Sequence, residues 1–132
     1  MAALDTNVLL RFLLQDDPLQ SQAATRLVSA ALAAGQLLYV PVSVALELEW
    51  VLRSRFKQDK AAVAQTFSGL LDALELRFEA VAALEWALNQ YESGSADFTD
   101  CLHAALAQQA GELPLWTFDR AAARVDGAKL LA

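Results

Sequence analysis

The sequence has a single cysteine, Cys101, and a single histidine, His103. One cysteine excludes a disulfide framework and any zinc site built on several thiolates. Nor does Cys101 form a nucleophile pair with His103, because residues two apart on a helix do not face each other. Proline and glycine are scarce, at 3 and 5 of 132 residues. No linker, internal repeat or low-complexity segment interrupts the chain. Basic residues are outnumbered, 10 against 16 acids, for a net charge of -6. That balance argues against a protein that grips nucleic acid through a basic face.

Apolar residues, by contrast, make up 56% of the chain, which excludes intrinsic disorder. The length fits one domain over residues 1–132, large enough for a real core. The N-terminus carries Asp5 early and lacks a basic segment and a cleavage site, so no secretory signal is read there. Residues 27–46 carry no charge and approach the roughly 20 residues a bilayer span needs. Gly35, Gln36 and Pro41 break that run into a helix end, a strand and a new helix start, and no membrane span is expected.

Strand and helix signals alternate. The apolar run 3–10 reads as a strand that ends in a polar turn, and Asp17-Pro18 as a helix start, the helix running to about Ala34 before Gly35. Residues 37–40 read as a second strand, with Ser43 as cap of the helix that follows. Asp59 caps another helix, 76–81 is a weak strand, 83–91 helical and 92–96 a polar loop. A helix over 97–110 ends at Gly111, a strand follows at 113–118, then a turn at 119–124 and a small last strand at 129–131. This order predicts an α/β fold with a parallel sheet and helices on both faces, in which sites form beyond the carboxyl ends of the strands.

Acids recur at those ends. Asp5 follows the first strand and Asp119 the fourth. Asp97 and Asp100, three apart at a helix start, share a face. Glu47 lies in an apolar helix, read as pointing inward with Glu49 on the solvated face. Each acid also has a bland reading as a cap or a solvated residue. Gathered together, such carboxylates repel one another unless a cation is bound. Oxygen donors without His or Cys suit Mg²⁺ or Mn²⁺ over Zn²⁺. Such an ion activates water for phosphodiester hydrolysis.

Four blocks carry a resemblance. They are residues 4–9 (LDTNVL), 41–52 (PVSVALELEWVL), 96–105 (ADFTDCLHAA) and 117–120 (TFDR), in that order. Together they resemble the PIN-domain family, in particular the VapC-like toxins of bacterial toxin–antitoxin pairs. The resemblance implies a three-layer α/β/α sandwich around a mainly parallel sheet of four to five strands. It also implies a cytoplasmic Mg²⁺- or Mn²⁺-dependent endoribonuclease that cuts RNA, forms a homodimer and is covered by a cognate antitoxin. The catalytic acids carry over to Asp5, Glu47, Asp100 and Asp119, with Asp97 as a further metal ligand. Thr6, Asn7 and Thr117 are read as groups that orient these acids.

Arg53, Arg55, Lys57 and Lys60 form the densest basic cluster, with Arg120 beside Asp119. Phosphate contact or a solvated helix end are the two readings of the cluster. Trp50, Trp86 and Trp116 are read as core, and His103 as a packed residue of the core or of a dimer face. A groove between the helices that follow Pro41 and Asp59 is the expected seat of an antitoxin. The alternative to a nuclease is a catalytically silent PIN-like module that acts by binding protein. Setting the five assigned acids aside leaves 11 acids against 10 bases, so the net charge does not by itself exclude RNA.

Overall fold

The computed structural model describes residues 2–132. The first strand is shorter than its apolar run suggests: β1 covers Ala2–Ala3 only, and α1 takes up the rest, Thr6–Leu14. Asp5 causes the switch. Its backbone is extended (φ -78°, ψ 161°) and its carboxylate accepts from the Thr6 N–H at 2.8 Å, which caps the new helix. Helix α2 is Pro18–Ala33, with Asp17 accepting from the Gln20 N–H at 3.0 Å. Strand β2 is Leu38–Val40 and α3 is Val42–Ser54. Ser43 is not the cap of α3, because the helix begins one residue before it. Glu79 serves instead, accepting from the Val42 N–H at 2.8 Å. Helix α4 is Lys60–Leu71, started as expected by Asp59, which accepts from the Ala62 N–H at 2.8 Å. Then come β3 (Leu76–Phe78), α5 (Val81–Ser93), α6 (Phe98–Gln109), β4 (Leu115–Thr117), a 3₁₀ turn (Ala122–Arg124) and β5 (Ala128–Leu130).

All described ladders are parallel, as the alternation of strands and helices requires. The strands are grouped three plus two: β1-β2-β3 in one sheet and β4-β5 in another. The chain divides into two compact units, one of residues 1–58 and 65–79, the other of residues 59–64 and 80–132. In the first, Leu9, Val40, Leu48, Leu52 and Phe67 are fully buried. In the second, Val63, Leu84, Phe98, Cys101 and Ala104 are, and Tyr91 meets Phe98 edge to face with ring centroids 5.5 Å apart. Among the described residues no helix is long and apolar enough to cross a membrane.

Candidate active site

In the first unit, Thr6 is the organising residue. It is buried, at 4% exposure, between Asp5 and Glu47, the latter 41 positions from it. Its N–H donates to Asp5 and its hydroxyl donates to Glu47 Oε1. One threonine therefore fixes the carboxylates of both Asp5 and Glu47, which stay exposed at their tips. Asn7 is exposed and lines a cavity of about 320 Å³ with Val8, Arg11, Gln20, Ala24 and Leu27. This apolar recess is bounded by α1 and α2.

The two glutamates of α3 are placed the reverse of expectation. Glu49 is the buried one, at 2% exposure, and Glu47 the exposed one. Residues two apart lie about 200° apart around a helix, so only one of them can join Ala45, Leu48 and Leu52 on the packed face. A buried carboxylate needs a partner, and Arg53, one turn on, supplies it at 2.9 Å. Arg53 is thus committed to Glu49, whereas Arg55 and Lys57 are exposed.

In the second unit, Asp97 stands at the N-cap position of α6, but its side chain makes no capping bond. Asp100 lies in the first turn, half-buried. Burial raises its carboxyl above the usual 3.8, and the charges of Asp119 and Asp97 raise it further, with His103 opposing. Asp119 follows β4. The Thr117 hydroxyl accepts from its N–H at 3.0 Å, and its own Oδ1 accepts from the Ala122 N–H at 3.0 Å. Thr117 therefore shapes the turn that presents Asp119. Arg120 is exposed.

Three sequence expectations need correction here. His103 is exposed, which overturns its core reading and leaves the dimer-face one, because α6 turns its Cys101, Leu102, Ala104 and Ala105 side to the core and leaves position 103 outside. Trp50 and Trp116 are 55% and 54% exposed, so neither is core, and Trp86 is only half-buried. Lys60 does not belong to a free basic cluster. Its ammonium donates to the carbonyls of Tyr91 (3.2 Å), Gly94 (3.0 Å) and Ala96 (3.2 Å) and lies 4.8 Å from the Tyr91 ring centre.

The sequence matches the PIN domain family over residues 2–128. The chain belongs to that family. No curated protein matches it. PIN domains are in general nucleases, hydrolases of phosphodiester bonds, and typically use divalent metal ions. Among the described residues of this PIN domain, no group of three or more His, Cys, Asp and Glu side chains could hold a metal ion. Mg²⁺ asks for less: it binds through one or two carboxylates, keeps several waters and takes further ligands from substrate phosphates. The donors present suit it in kind, being oxygens throughout. The repulsion felt at Asp100 is also what a cation offsets.

Proposed function

We propose that this PIN domain, acting as one domain over residues 1–132, is a Mg²⁺- or Mn²⁺-dependent endoribonuclease and the toxin of a toxin–antitoxin pair, like the VapC-like toxins its motifs resemble. One observation carries the reading. The PIN-domain match over residues 2–128 takes in Asp5, Glu47, Asp97, Asp100 and Asp119, and the charges of Asp119 and Asp97 both raise the Asp100 carboxyl. Such repulsion among carboxylates is what a divalent ion relieves.

Asp5, Glu47, Asp100 and Asp119 are the catalytic acids in this reading, and Asp97 adds a metal ligand. A divalent ion bound at these carboxylates would supply an activated water and offset the charge that develops on the phosphoryl group. The protein does the positioning. Thr6 orients Asp5 and Glu47 together, Thr117 sets the turn at Asp119, and the exposed Asn7 stands next to Thr6 in the chain. Arg55, Lys57 and Arg120 are exposed cations for the RNA phosphates, with Arg53 a weaker contributor because of Glu49. The reading includes a homodimer, which sedimentation equilibrium checks by mass, a cognate antitoxin protein and a cytoplasmic location.

The test is cleavage of RNA by the purified protein with Mn²⁺, with EDTA, and with an Asp5→Asn variant. Asparagine caps a helix as well as aspartate, so the fold is kept while the charge is lost. Cleavage is expected only with Mn²⁺ and the parent. Equal cleavage in all three reactions would mean a contaminant and sink the reading. No cleavage in any, with a folded protein that captures a partner, favours the silent binding module. Thr6→Val is expected to lower the rate by roughly 10- to 100-fold, the usual effect of losing a group that orients a metal-site residue. Thr6→Ser keeps the hydroxyl and should recover most of it. A fully active Thr6→Val would remove Thr6 from the site.

A further inference from the structure

Trp116, Phe118 and Lys129 form a surface that the catalytic reading does not use. Trp116 is the middle residue of β4, and Lys129 is its partner in register on β5. The ladder holds them there, since the Leu115 N–H donates to Gly127 O and the Leu131 N–H to Thr117 O, each at 2.8 Å. The Lys129 ammonium lies 5.6 Å from the Trp116 ring centre. Phe118, two residues on, is 72% exposed, against 54% for Trp116. Phe118 stands one residue beyond the end of β4, two positions from Trp116, and both rings are exposed. Two large aromatics in water are costly to leave uncovered, and a cation beside one of them adds positive charge. The pair also immediately precedes the turn that carries Asp119 and Arg120.

We propose that Trp116 and Phe118 form a stacking platform for unpaired bases of single-stranded RNA, with Lys129 and Arg120 meeting the flanking phosphates. Exposed aromatics with a cation close by, here Lys129 over one face of Trp116 with the opposite face offered to a base, are what single-stranded nucleic acid requires, because every base has a face to stack and every nucleotide a negative charge. Placement beside Asp119 brings the held strand to a candidate catalytic acid. The choice of RNA as occupant rests on the nuclease reading. The platform itself rests on exposure, register and charge.

The experiment is binding of a fluorescein-labelled ten-nucleotide oligoadenylate to the full chain in EDTA, read by anisotropy. Working without metal separates binding from cleavage. Trp116→Ala/Phe118→Ala is expected to weaken binding by about 5- to 150-fold, the range for loss of base stacking. Trp116→Phe/Phe118→Tyr keeps two rings and should bind within about 3-fold of the parent, which shows that ring faces matter and not the identity of the side chains. Lys129→Ala should lower the salt dependence by about one ion. A duplex of the same length, with no free base faces, should bind at least about tenfold more weakly. Unchanged affinity in the Ala/Ala variant overturns the platform. So does a change in its sedimentation from dimer to monomer at unchanged affinity, which would make the face an interface between copies. If the parent binds through these rings yet never cleaves, the nuclease reading fails and the platform stands. If it cleaves and the Ala/Ala variant binds as before, the reverse holds.

Discussion

Asp100→Asn is expected to reduce RNA cleavage by at least about 100-fold while leaving the folded protein as stable as the parent or more so. On the proposed reading the loss follows from removing one of the carboxylates that would hold the ion, since such an ion's contribution to the transition state is several kcal/mol and each 1.36 kcal/mol is about tenfold in rate. The stability follows from the raised carboxyl. Burial, Asp119 and Asp97 hold the folded Asp100 above 3.8, so the folded form keeps its proton more tightly than the unfolded chain. Stability from this group is full below 3.8 and is lost as pH rises through the raised value. Asparagine has no such proton to lose. Its advantage over aspartate should therefore vanish in acid and appear at neutral pH, in melting curves taken at both. A variant less stable than the parent at pH 7 would show that the helix dipole at this first-turn position outweighs the repulsion. Full activity in Asp100→Asn would remove Asp100 from the catalytic set.

Lys60→Met is expected to cost about 2–4 kcal/mol of stability without touching RNA affinity. Helix α5 ends with carbonyls that have no partner in the helix. The Lys60 ammonium takes those of Tyr91 and the C-cap Gly94, at the negative end of the dipole, together with the carbonyl of Ala96 in the loop beyond, at 3.0–3.2 Å. A hydrogen bond to a charged group contributes about 1.5–3 kcal/mol, and methionine keeps only the apolar stem. For a chain of 132 residues the loss should appear as a fall in melting temperature on the order of 10 °C. Arginine should not rescue it, because a planar fork cannot reach three carbonyls as a compact ammonium does. Weaker RNA binding with an unchanged melting point would return Lys60 to the basic surface where the sequence first placed it.

Lys60 illustrates what the sequence could not disclose. Its partners lie 31 to 36 residues away, and only the fold brings a helix end to that ammonium. The α/β order, the Asp17 and Asp59 caps and the family blocks were legible because they are local patterns of spacing and capping. The first helix was not. An apolar run of this kind suits a strand or a helix alike, and Asp5 as a cap decided it. Glu47 and Glu49 were transposed for a related reason. Periodicity says that one of two such residues is inside, but the ion pair with Arg53 decides which. The orienting role of Thr6 was read from its place beside Asp5. Its bond to Glu47 joins two segments 41 residues apart and could be seen only in the fold. Trp116 misled by its setting in an apolar segment. A two-stranded ladder of three-residue strands leaves one side of β4 uncovered, and strand signals do not report that.

The buried thiol of Cys101 makes this chain a convenient carrier for chemical probes. It is fully enclosed, and burial pushes the thiol up to about 11, so almost none of it is thiolate at neutral pH. Maleimides and other thiol reagents, which attack the thiolate, therefore have no native target while the protein is folded. A cysteine introduced at an exposed position such as Ser95 would be labelled alone, with no need to remove the natural one. A dye placed there reports on the unmodified core, and the appearance of a second labelled site during heating or in denaturant marks the moment when α6 opens.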